Sequence, residues 1–337
     1  MRRITRTGVS LLAAFLFIAI IAGAIFAIAA ISIHYGKAEE PSESGSRAQI
    51  RIYSSLQEIQ LSAVEELFEK LNPDIDLVCY SAGTGKILTK VEAEIQSGAL
   101  SADMIWIGDP YSYAPLLDSD LLSPIDSEYR NDIPAWCDFD DDRLITARLV
   151  VMGFAYNAHE YPSGIGWDSF LDSGSFAIAD PATSGTSLYS LREIAEQKGM
   201  DFIRKMKEKG LKLCSGSSAT GYKVGIGEYD AAIVPDYIAS TEASLGRPVS
   251  FSALTDPYLV IPCPIALFER SESKDACMRF ISFILSDAGQ TLLASVDVIP
   301  VRGKYAKYTS LGGDGPIAIA DDRKQFLELL DSILLSD

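Results

Sequence analysis

Hydroxyl-bearing residues and glycine are concentrated where four predicted strands pass into helices. The junction residues are Ser54 and Ser55 after the first strand, Ser81, Gly83, Thr84, Gly85 and Lys86 after the second, Thr183, Ser184, Gly185, Thr186 and Ser187 after Asp180-Pro181, and Ser215, Gly216, Ser217, Ser218, Thr220 and Gly221 after Cys214. The first amides of a helix have no intrahelical acceptor, and the helix dipole makes that end positive. Hydroxyls add donors, and glycine lets a ligand approach the backbone. The pattern therefore predicts an anion-binding site, provided that the junctions meet.

Helix capping is the alternative role for each junction taken alone. Serine and threonine are common N-caps, and Ser55 with Glu58 fits a capping box. The segment from Thr183 to Ser187 is the strongest candidate for binding, because four of its five residues carry hydroxyls. Ser218, in the fourth junction, belongs to the same predicted site.

Two further side chains are candidates at strand ends. Tyr237 follows a strand that ends near Pro235, and it either reaches the ligand or packs as an aromatic at the start of a helix. Asp109 follows a strand containing Trp106, and it is either a ligand contact or a helix N-cap, whereas Trp106 is predicted to be core.

Catalysis is poorly supported by the residue types. The chain has two histidines, His34 and His159, and neither is near a recognisable nucleophile or metal-ligand motif. Clustered hydroxyls bind, but alone they supply no proton acceptor near neutral pH. We therefore predict a binding protein and not an enzyme, with no cofactor.

Short strands alternate with helices after residue 48, a pattern typical of α/β folds with mostly parallel sheets. The predicted strands are 49–53, 75–80, 104–107, 176–179, 211–214 and 231–234, and the predicted helices are 56–71, 87–95, 188–197, 222–227, 238–245 and a tract from 275 to 294 broken near Gly289. In open α/β sheets ligands bind beyond the carboxyl ends of the strands, where the hydroxyl-rich junctions lie.

Two long apolar stretches, Leu144 to Tyr156 and Tyr258 to Phe268, interrupt this alternation. We interpret them as segments where the chain crosses between two lobes and returns. Lobe one would then comprise residues 49–146 and 264–337, and lobe two residues 147–263. One large sheet without a hinge is the alternative.

The N-terminus predicts export. Arg2, Arg3 and Arg6 precede an uncharged apolar run from Val9 to Ile33, and basic residues stay on the cytoplasmic side of a membrane. Residues 1–34 are therefore a signal peptide or a transmembrane anchor, and the length of the run favours the anchor. The polar residues 35–48 form a flexible tether.

Composition excludes some classes of function. The formal net charge of −17 argues against a nucleic-acid partner, which needs a basic surface. The five cysteines lack any C-x-x-C spacing, so neither a zinc site nor a disulfide framework is indicated.

Several segments together resemble type II periplasmic binding proteins of the extracellular solute-binding family 1. They are Tyr53 to Glu58, Gly83-Thr84-Gly85, Ala102 to Trp106, Asp180 to Thr186, Gly227 to Ala232 and Ile299 to Arg302. The resemblance implies a two-lobed α/β fold of mixed, mostly parallel sheets with an interlobe cleft, preceded here by the N-terminal membrane helix. It also implies a monomer outside the cytoplasmic membrane that works with the permease and ATPase subunits of an ABC importer.

The resemblance covers a branch that includes ferric-iron, hexose-phosphate, phosphoglycerate and phosphonate binders. Its iron binders carry a histidine or similar ligand after the first strand, a carboxylate after the third and two adjacent tyrosines in lobe two. Here these positions correspond to Gln57, to Gly108 beside Asp109, and to Tyr237 followed by Ile238. That set suits ferric iron poorly, so a phosphorylated or phosphonate compound is the first expectation. Ferric iron with Tyr237 as ligand and a membrane-anchored sensor domain are the alternatives.

Overall fold

The computed structural model describes residues 47–256, 258–302, 319 and 322–335. The predicted membrane segment, residues 1–34, lies outside them, as does most of the predicted tether. Among the described residues no helix combines the length and the apolar character that crossing a bilayer requires.

Strands and helices alternate through most of the chain. The strands are β1 (Ala48–Ser54), β2 (Ile75–Ser81), β3 (Met104–Trp106), β4 (Leu122–Ser123), β5 (Ile145–Asn157), β6 (Phe176–Ala179), β7 (Lys212–Cys214), β8 (Ala231–Pro235), β9 (Val249–Ala253), β10 (Val260–Phe268) and β11 (Ile299–Pro300). The helices are α1 (Glu58–Leu71), α2 (Thr84–Gln96), α3 (Ala114–Asp118), α4 (Trp167–Leu171), α5 (Gly185–Lys198), α6 (Met200–Glu208), α7 (Ser217–Gly225), α8 (Asp236–Ser244), α9 (Lys274–Leu285), α10 (Asp287–Ser295) and α11 (Arg323–Leu334). Short 3₁₀ turns cover Pro110–Tyr113, Arg130–Asp132 and Ala135–Cys137.

The predicted alternation of elements is confirmed, and the helical tract near the end is broken as predicted. The break falls at Ser286 and not at Gly289, because the Ser286 hydroxyl caps α10 by accepting from the Gly289 amide at 3.2 Å. Gly289 is needed for a different reason. A Cβ there would lie 2.1 Å from the carbonyl oxygen of Phe283, so glycine lets α10 pack against the end of α9.

The strands form two sheets that share β5, in the order β2-β1-β3-β10-β5-β8-β6-β7. In the first sheet β1 runs parallel to β2 and β3, and in the second sheet β6 runs parallel to β7 and β8. The mixed α/β class is thus confirmed. The sheets contain fewer parallel strand pairs than the alternation of strands and helices predicts, because β5 and β10 run antiparallel to their neighbours.

Strand β5 passes from one sheet into the other. Its residues from Ile145 to Val151 pair with β10, whereas Met152 to Asn157 pair with β8 and β9. This apolar strand is buried along almost its whole length, which explains its continuous hydrophobic sequence.

Each sheet has its own hydrophobic core. Ile52, Trp106 and Phe280 belong to the core of the first sheet, and Phe170 and Ile233 belong to that of the second. Trp106 is fully buried, as predicted. Helix α11, which the sequence-based division includes in lobe one, packs Leu330, Ile333 and Leu334 into the core of the second sheet.

Candidate functional site

The four hydroxyl-rich junctions surround one cavity of about 510 Å³, which we call the junction cavity. It is lined by Ser55, Leu56, Gln57, Glu58, Ser81, Ala82, Gly83, Thr84, Lys86, Thr183, Ser184, Gly185, Thr186, Ser215, Gly216, Ser217, Ser218, Ala219 and Tyr237. The junctions after β1 and β2 belong to the first sheet, and those after β6 and β7 belong to the second. The folded chain therefore brings together segments up to about 160 residues apart. In an α/β fold this follows because the carboxyl ends of parallel strands lie at the same edge of a sheet.

Three of the predicted residues do not line this cavity. Ser54 is buried, and its hydroxyl donates to the carbonyl oxygen of Trp106 at 2.9 Å. Asp109 is buried and caps the 3₁₀ turn by accepting from the Tyr111 amide at 3.2 Å, which is the capping role left open above. Burial raises the pKa of the Asp109 carboxyl, against the effects of Ser112 and Arg323. Gly85 lies one residue beyond Thr84 in α2 and contacts the other sheet, as described below.

Ser55 is oriented by donors that use both of its acceptor positions. Its hydroxyl oxygen accepts from the Gly108 amide at 2.9 Å and from a terminal nitrogen of Arg148 at 3.3 Å. A hydroxyl has two lone pairs and one hydrogen, so the remaining hydrogen of Ser55 is available to donate. Because Ser55 lines the junction cavity, this hydrogen is a donor for a ligand there.

The predicted capping box of Ser55 with Glu58 is wrong. Helix α1 begins at Glu58 with Gln57 as its N-cap, and the Gln57 amide donates to the side-chain oxygen of Gln60 at 3.3 Å. The helix therefore starts later than the pattern indicated, and Ser55 is left on the cavity wall.

On the side of the second sheet, three hydroxyls form a compact group at the starts of α5 and α7. The Ser184 hydroxyl lies 3.2 Å from that of Thr186 and 3.1 Å from that of Ser217, and the Thr186 and Ser217 hydroxyls are 3.4 Å apart. Ser184 is also the N-cap of α5. Its neighbour Thr183 has a different role, because its hydroxyl lies 3.1 Å from the carbonyl oxygens of Asp180 and Ser215.

The two sheets touch at the edge of the cavity through glycine. The Gly85 amide donates to the Thr183 carbonyl oxygen at 3.1 Å, and a Cβ at Gly85 would lie 2.3 Å from the carbonyl oxygen of Ala182. A Cβ at Gly185 would lie 2.8 Å from the Thr84 hydroxyl. These two glycines let the starts of α2 and α5 meet directly.

Arg148, which contacts Ser55 from behind the cavity wall, is a residue that the sequence analysis missed. It lies on β5 and is 2% exposed, and its Nε has no hydrogen-bond partner in the described part of the chain. No carboxylate of the described residues comes within salt-bridge distance of it. Its position is visible in the sequence, because Arg148 is the one charged residue in the apolar run from Leu144 to Tyr156.

Tyr237 lines the cavity and also packs against the core of the second sheet and against a smaller apolar cluster that includes Val234 and Ile238. Burial raises its pKa to about 12, although the nearby charge of Arg148 acts in the opposite direction. A neutral phenol is therefore the form present near neutral pH. Across residues 47–256 and the other described segments, no group of three or more His, Cys, Asp or Glu side chains is arranged to hold a metal ion.

Comparisons with known proteins agree with this architecture. Residues 52–295 match the family model of bacterial extracellular solute-binding proteins. The substrate-binding protein of an ABC transporter from Agrobacterium tumefaciens is 21% identical, with a TM-score of 0.75 over 87% of this chain and 96% of that chain. AfuA, a periplasmic binding protein from Actinobacillus pleuropneumoniae solved with fructose-6-phosphate, is 18% identical, with a TM-score of 0.74 over 87% of this chain and 100% of that chain.

Iron-bound HitA from Pseudomonas aeruginosa is also similar, at 18% identity and a TM-score of 0.70 over 85% of this chain and 99% of that chain. No curated protein sequence matches. Proteins that hold quite different solutes thus share this fold, and the ligand has to be inferred from the side chains of the cavity.

Proposed function

Since the chain belongs to the bacterial extracellular solute-binding proteins, we propose that it is the solute-binding component of an ABC-type importer and holds a small phosphorylated or phosphonate compound in the junction cavity. As a member of this family it binds a solute and is not an enzyme. In this proposal the two sheets are the cores of two lobes, and the lobes close over the ligand. The change of partners along β5 between Val151 and Met152 supports that division.

One observation carries the proposal: donors from both sheets converge on one cavity. The Ser55 hydroxyl faces it from the first sheet, and the group formed by Ser184, Thr186 and Ser217 faces it from the second. The first backbone amides of α5 and α7 lie beside these hydroxyls, at the helix ends where the helix dipole favours negative charge. A tetrahedral oxyanion offers enough oxygens to accept from both sheets at once.

Iron is less well supported by the same side chains. Ferric iron prefers several anionic oxygen ligands, and Tyr237 and Glu58 are the two lining residues that can supply one. The other lining residues are mainly hydroxyls, glycines and an amide, together with the cation Lys86. We therefore propose a site without a resident metal or cofactor.

The partners follow from the proposed role. Permease and ATPase subunits of the importer would receive the loaded protein, which acts as a monomer outside the cytoplasmic membrane. The basic N-terminus and the apolar run from Val9 to Ile33 support either secretion or anchoring by that segment. A permease gene beside this one would favour transport over a sensor role.

A thermal-shift panel tests the proposal. It contains phosphorylated sugars, glycerate phosphates and aminoethylphosphonate, with ferric citrate as a separate arm. A ligand present at 100 times its Kd stabilises the native state by about 2.7 kcal/mol, which raises Tm by roughly 3–5 °C for a protein of this size. We expect at least one phosphate or phosphonate to do so and ferric citrate to produce no colour.

The double variant Ser184→Ala/Thr186→Ala should lose that shift, because it removes two of the three hydroxyls at the starts of α5 and α7. The control is Ser332→Ala, whose exposed hydroxyl donates to the Leu329 carbonyl oxygen far from the cavity. A shift that survives in the double variant, or a coloured ferric complex, would contradict the proposal.

A further inference from the structure

Arg148 occupies the place where the two sheets and the junction cavity meet. Its terminal nitrogen contacts the Ser55 hydroxyl at 3.3 Å, and a Cβ built at neighbouring Gly108 would lie 3.8 Å from that nitrogen. The same built Cβ would lie 3.1 Å from the Thr186 methyl group, which belongs to the second sheet. Ser55 and Thr186 both line the cavity, whereas Arg148 is not itself a lining residue and lies directly behind Ser55.

Arg148 forms no ion pair with a carboxylate of the described residues, although Asp109 and Asp236 act electrostatically on the same buried thiol of Cys263 as it does. Asp109 directly follows Gly108 in the chain and is a buried carboxylate. It is already engaged elsewhere, because it accepts from the Tyr111 amide and the Ser112 hydroxyl and pairs with Arg323 at 3.7 Å. The face of Trp106 lies 5.8 Å from the guanidinium and offers a weak cation–π contact only. A buried charge without a counter-charge opposes the arrangement that buries it.

We propose that Arg148 supplies the fixed positive charge of the anion site, and that the negative charge of the ligand is what allows the two sheets to close around it. This inference rests on the proposed function and deepens it, because it makes ligand charge the condition for closure. With the cavity open, water solvates the guanidinium. With the cavity closed, a phosphate or phosphonate group that accepts from Ser55 neutralises the charge behind that hydroxyl.

The position on β5 makes this coupling direct. This strand belongs to both sheets, and the guanidinium donates to the Ser55 hydroxyl, which lines the cavity. The charge thus acts on the ligand from behind Ser55, and it favours a group with two negative charges over one with a single negative charge. The site should therefore prefer phosphate and phosphonate groups to carboxylates and reject neutral sugars.

The test uses Arg148→Met, which keeps the length and removes the charge, and Arg148→Lys, which keeps the charge and loses the planar fork. Arg51→Met is the matched control, because Arg51 is an exposed arginine on β1 and is not among the residues that line the cavity. Two quantities are measured for each protein: the Kd for inorganic phosphate by calorimetry, and the radius of gyration by X-ray scattering with and without phosphate.

We expect Arg148→Met to bind phosphate at least 100-fold more weakly and, without phosphate, to be as compact as the phosphate-bound wild type. Arg148→Lys should bind about tenfold more weakly and still contract on adding phosphate. Arg51→Met should lose less than fivefold in phosphate affinity and contract like the wild type.

If phosphate-free Arg148→Met is as expanded as the phosphate-free wild type, the charge does not control closure and the inference is wrong. Unchanged phosphate affinity in Arg148→Met overturns it equally. Failure of the proposed function is a separate outcome: the wild type would respond to no phosphate or phosphonate of the panel. In that case the radii of gyration of phosphate-free wild type and phosphate-free Arg148→Met still show whether the charge of Arg148 controls closure.

Discussion

At the scale of single residues, burial raises the pKa of several ionisable side chains. Tyr237 and Tyr111 keep their phenols, since burial raises the pKa of each to about 12. Glu193, on α5, is the carboxylate affected near neutral pH: burial and the neighbouring Glu196 raise its pKa to about 7, against the charge of Arg192.

Glu193 should make stability depend on pH. Its pKa is 4.5 when unperturbed and about 7 in the folded protein, so between these values the folded state binds more protons than the unfolded state. Stability is then lost as pH rises from about 4.5 to about 7. We expect Glu193→Gln to be more stable than the wild type at pH 8 by about 1–2 kcal/mol, allowing for partial exposure, and nearly equal at pH 5.

Urea unfolding at both pH values measures this difference. Glu208→Gln is the control, because Glu208 is exposed at the end of α6. Its substitution should change the free energy of unfolding by less than about 0.5 kcal/mol at either pH. If the free energies of unfolding of Glu193→Gln and the wild type differ by the same amount at pH 5 and at pH 8, the Glu193 carboxyl does not titrate as inferred.

At the scale of elements, the starts of α2 and α5 act as a pair. Each begins at a junction of a different sheet, and Gly85 and Gly185 allow their backbones to touch. The hydroxyls beside them then face one cavity. The donors of the proposed site are therefore aligned by a helix-to-helix contact, and no loop has to close for them to meet.

Gly85→Ala should weaken ligand binding without unfolding either sheet. The new Cβ would lie 2.3 Å from the Ala182 carbonyl oxygen, so the starts of the two helices would have to separate. Overpacking of this kind costs about 1–3 kcal/mol, which corresponds to a roughly 5- to 150-fold weaker Kd for phosphate.

Calorimetry measures the Kd, and the Tm without ligand should change by less than about 2 °C. Gly166→Ala is the matched control, since a Cβ at Gly166 meets nothing within 4 Å. Equal phosphate affinity in Gly85→Ala and Gly166→Ala would show that this contact is not part of the binding-competent state.

At the scale of the whole molecule, the last helix ties distant parts of the chain together. The Arg192 guanidinium pairs with Asp322 at 2.6 Å and packs on the Tyr111 ring, and Arg323 reaches the Ser112 hydroxyl at 3.1 Å. Arg192 is on the second sheet's side, whereas Tyr111 and Ser112 follow β3 of the first sheet. The start of α11 thus contacts both sheets, while its later residues are buried in one core.

Leu330→Ala should destabilise the protein by about 2–5 kcal/mol, because Leu330 is fully buried in the core of the second sheet. Leu329→Ala is the neighbouring control: that side chain is 41% exposed, and its loss should cost less than about 1 kcal/mol. Urea unfolding of both variants makes the comparison. Similar losses in the two would mean that α11 does not pack as described.

The sequence by itself determined the local structure and the general nature of the site. Apolar spacing predicted the strands and helices, because periods of two and of 3.6 residues follow from backbone geometry. Serine, threonine and glycine at strand ends predicted donors at helix starts, since helix-start amides need partners whatever the rest of the fold is. The apolar run containing Arg148 was visible, but its periodicity carried no sign of where the charge would point.

Tertiary structure decided which side chains face the cavity. Ser54 and Ser55 are adjacent and alike, yet the first donates to the Trp106 carbonyl oxygen and the second lines the cavity, because Ser54 ends β1 inside the sheet whereas Ser55 is the first residue beyond the strand. Asp109 became a cap and Arg148 a buried cation through packing between segments far apart in the chain. Burial and hydrogen-bond partners of this kind depend on non-local contacts, which one-dimensional spacing does not contain.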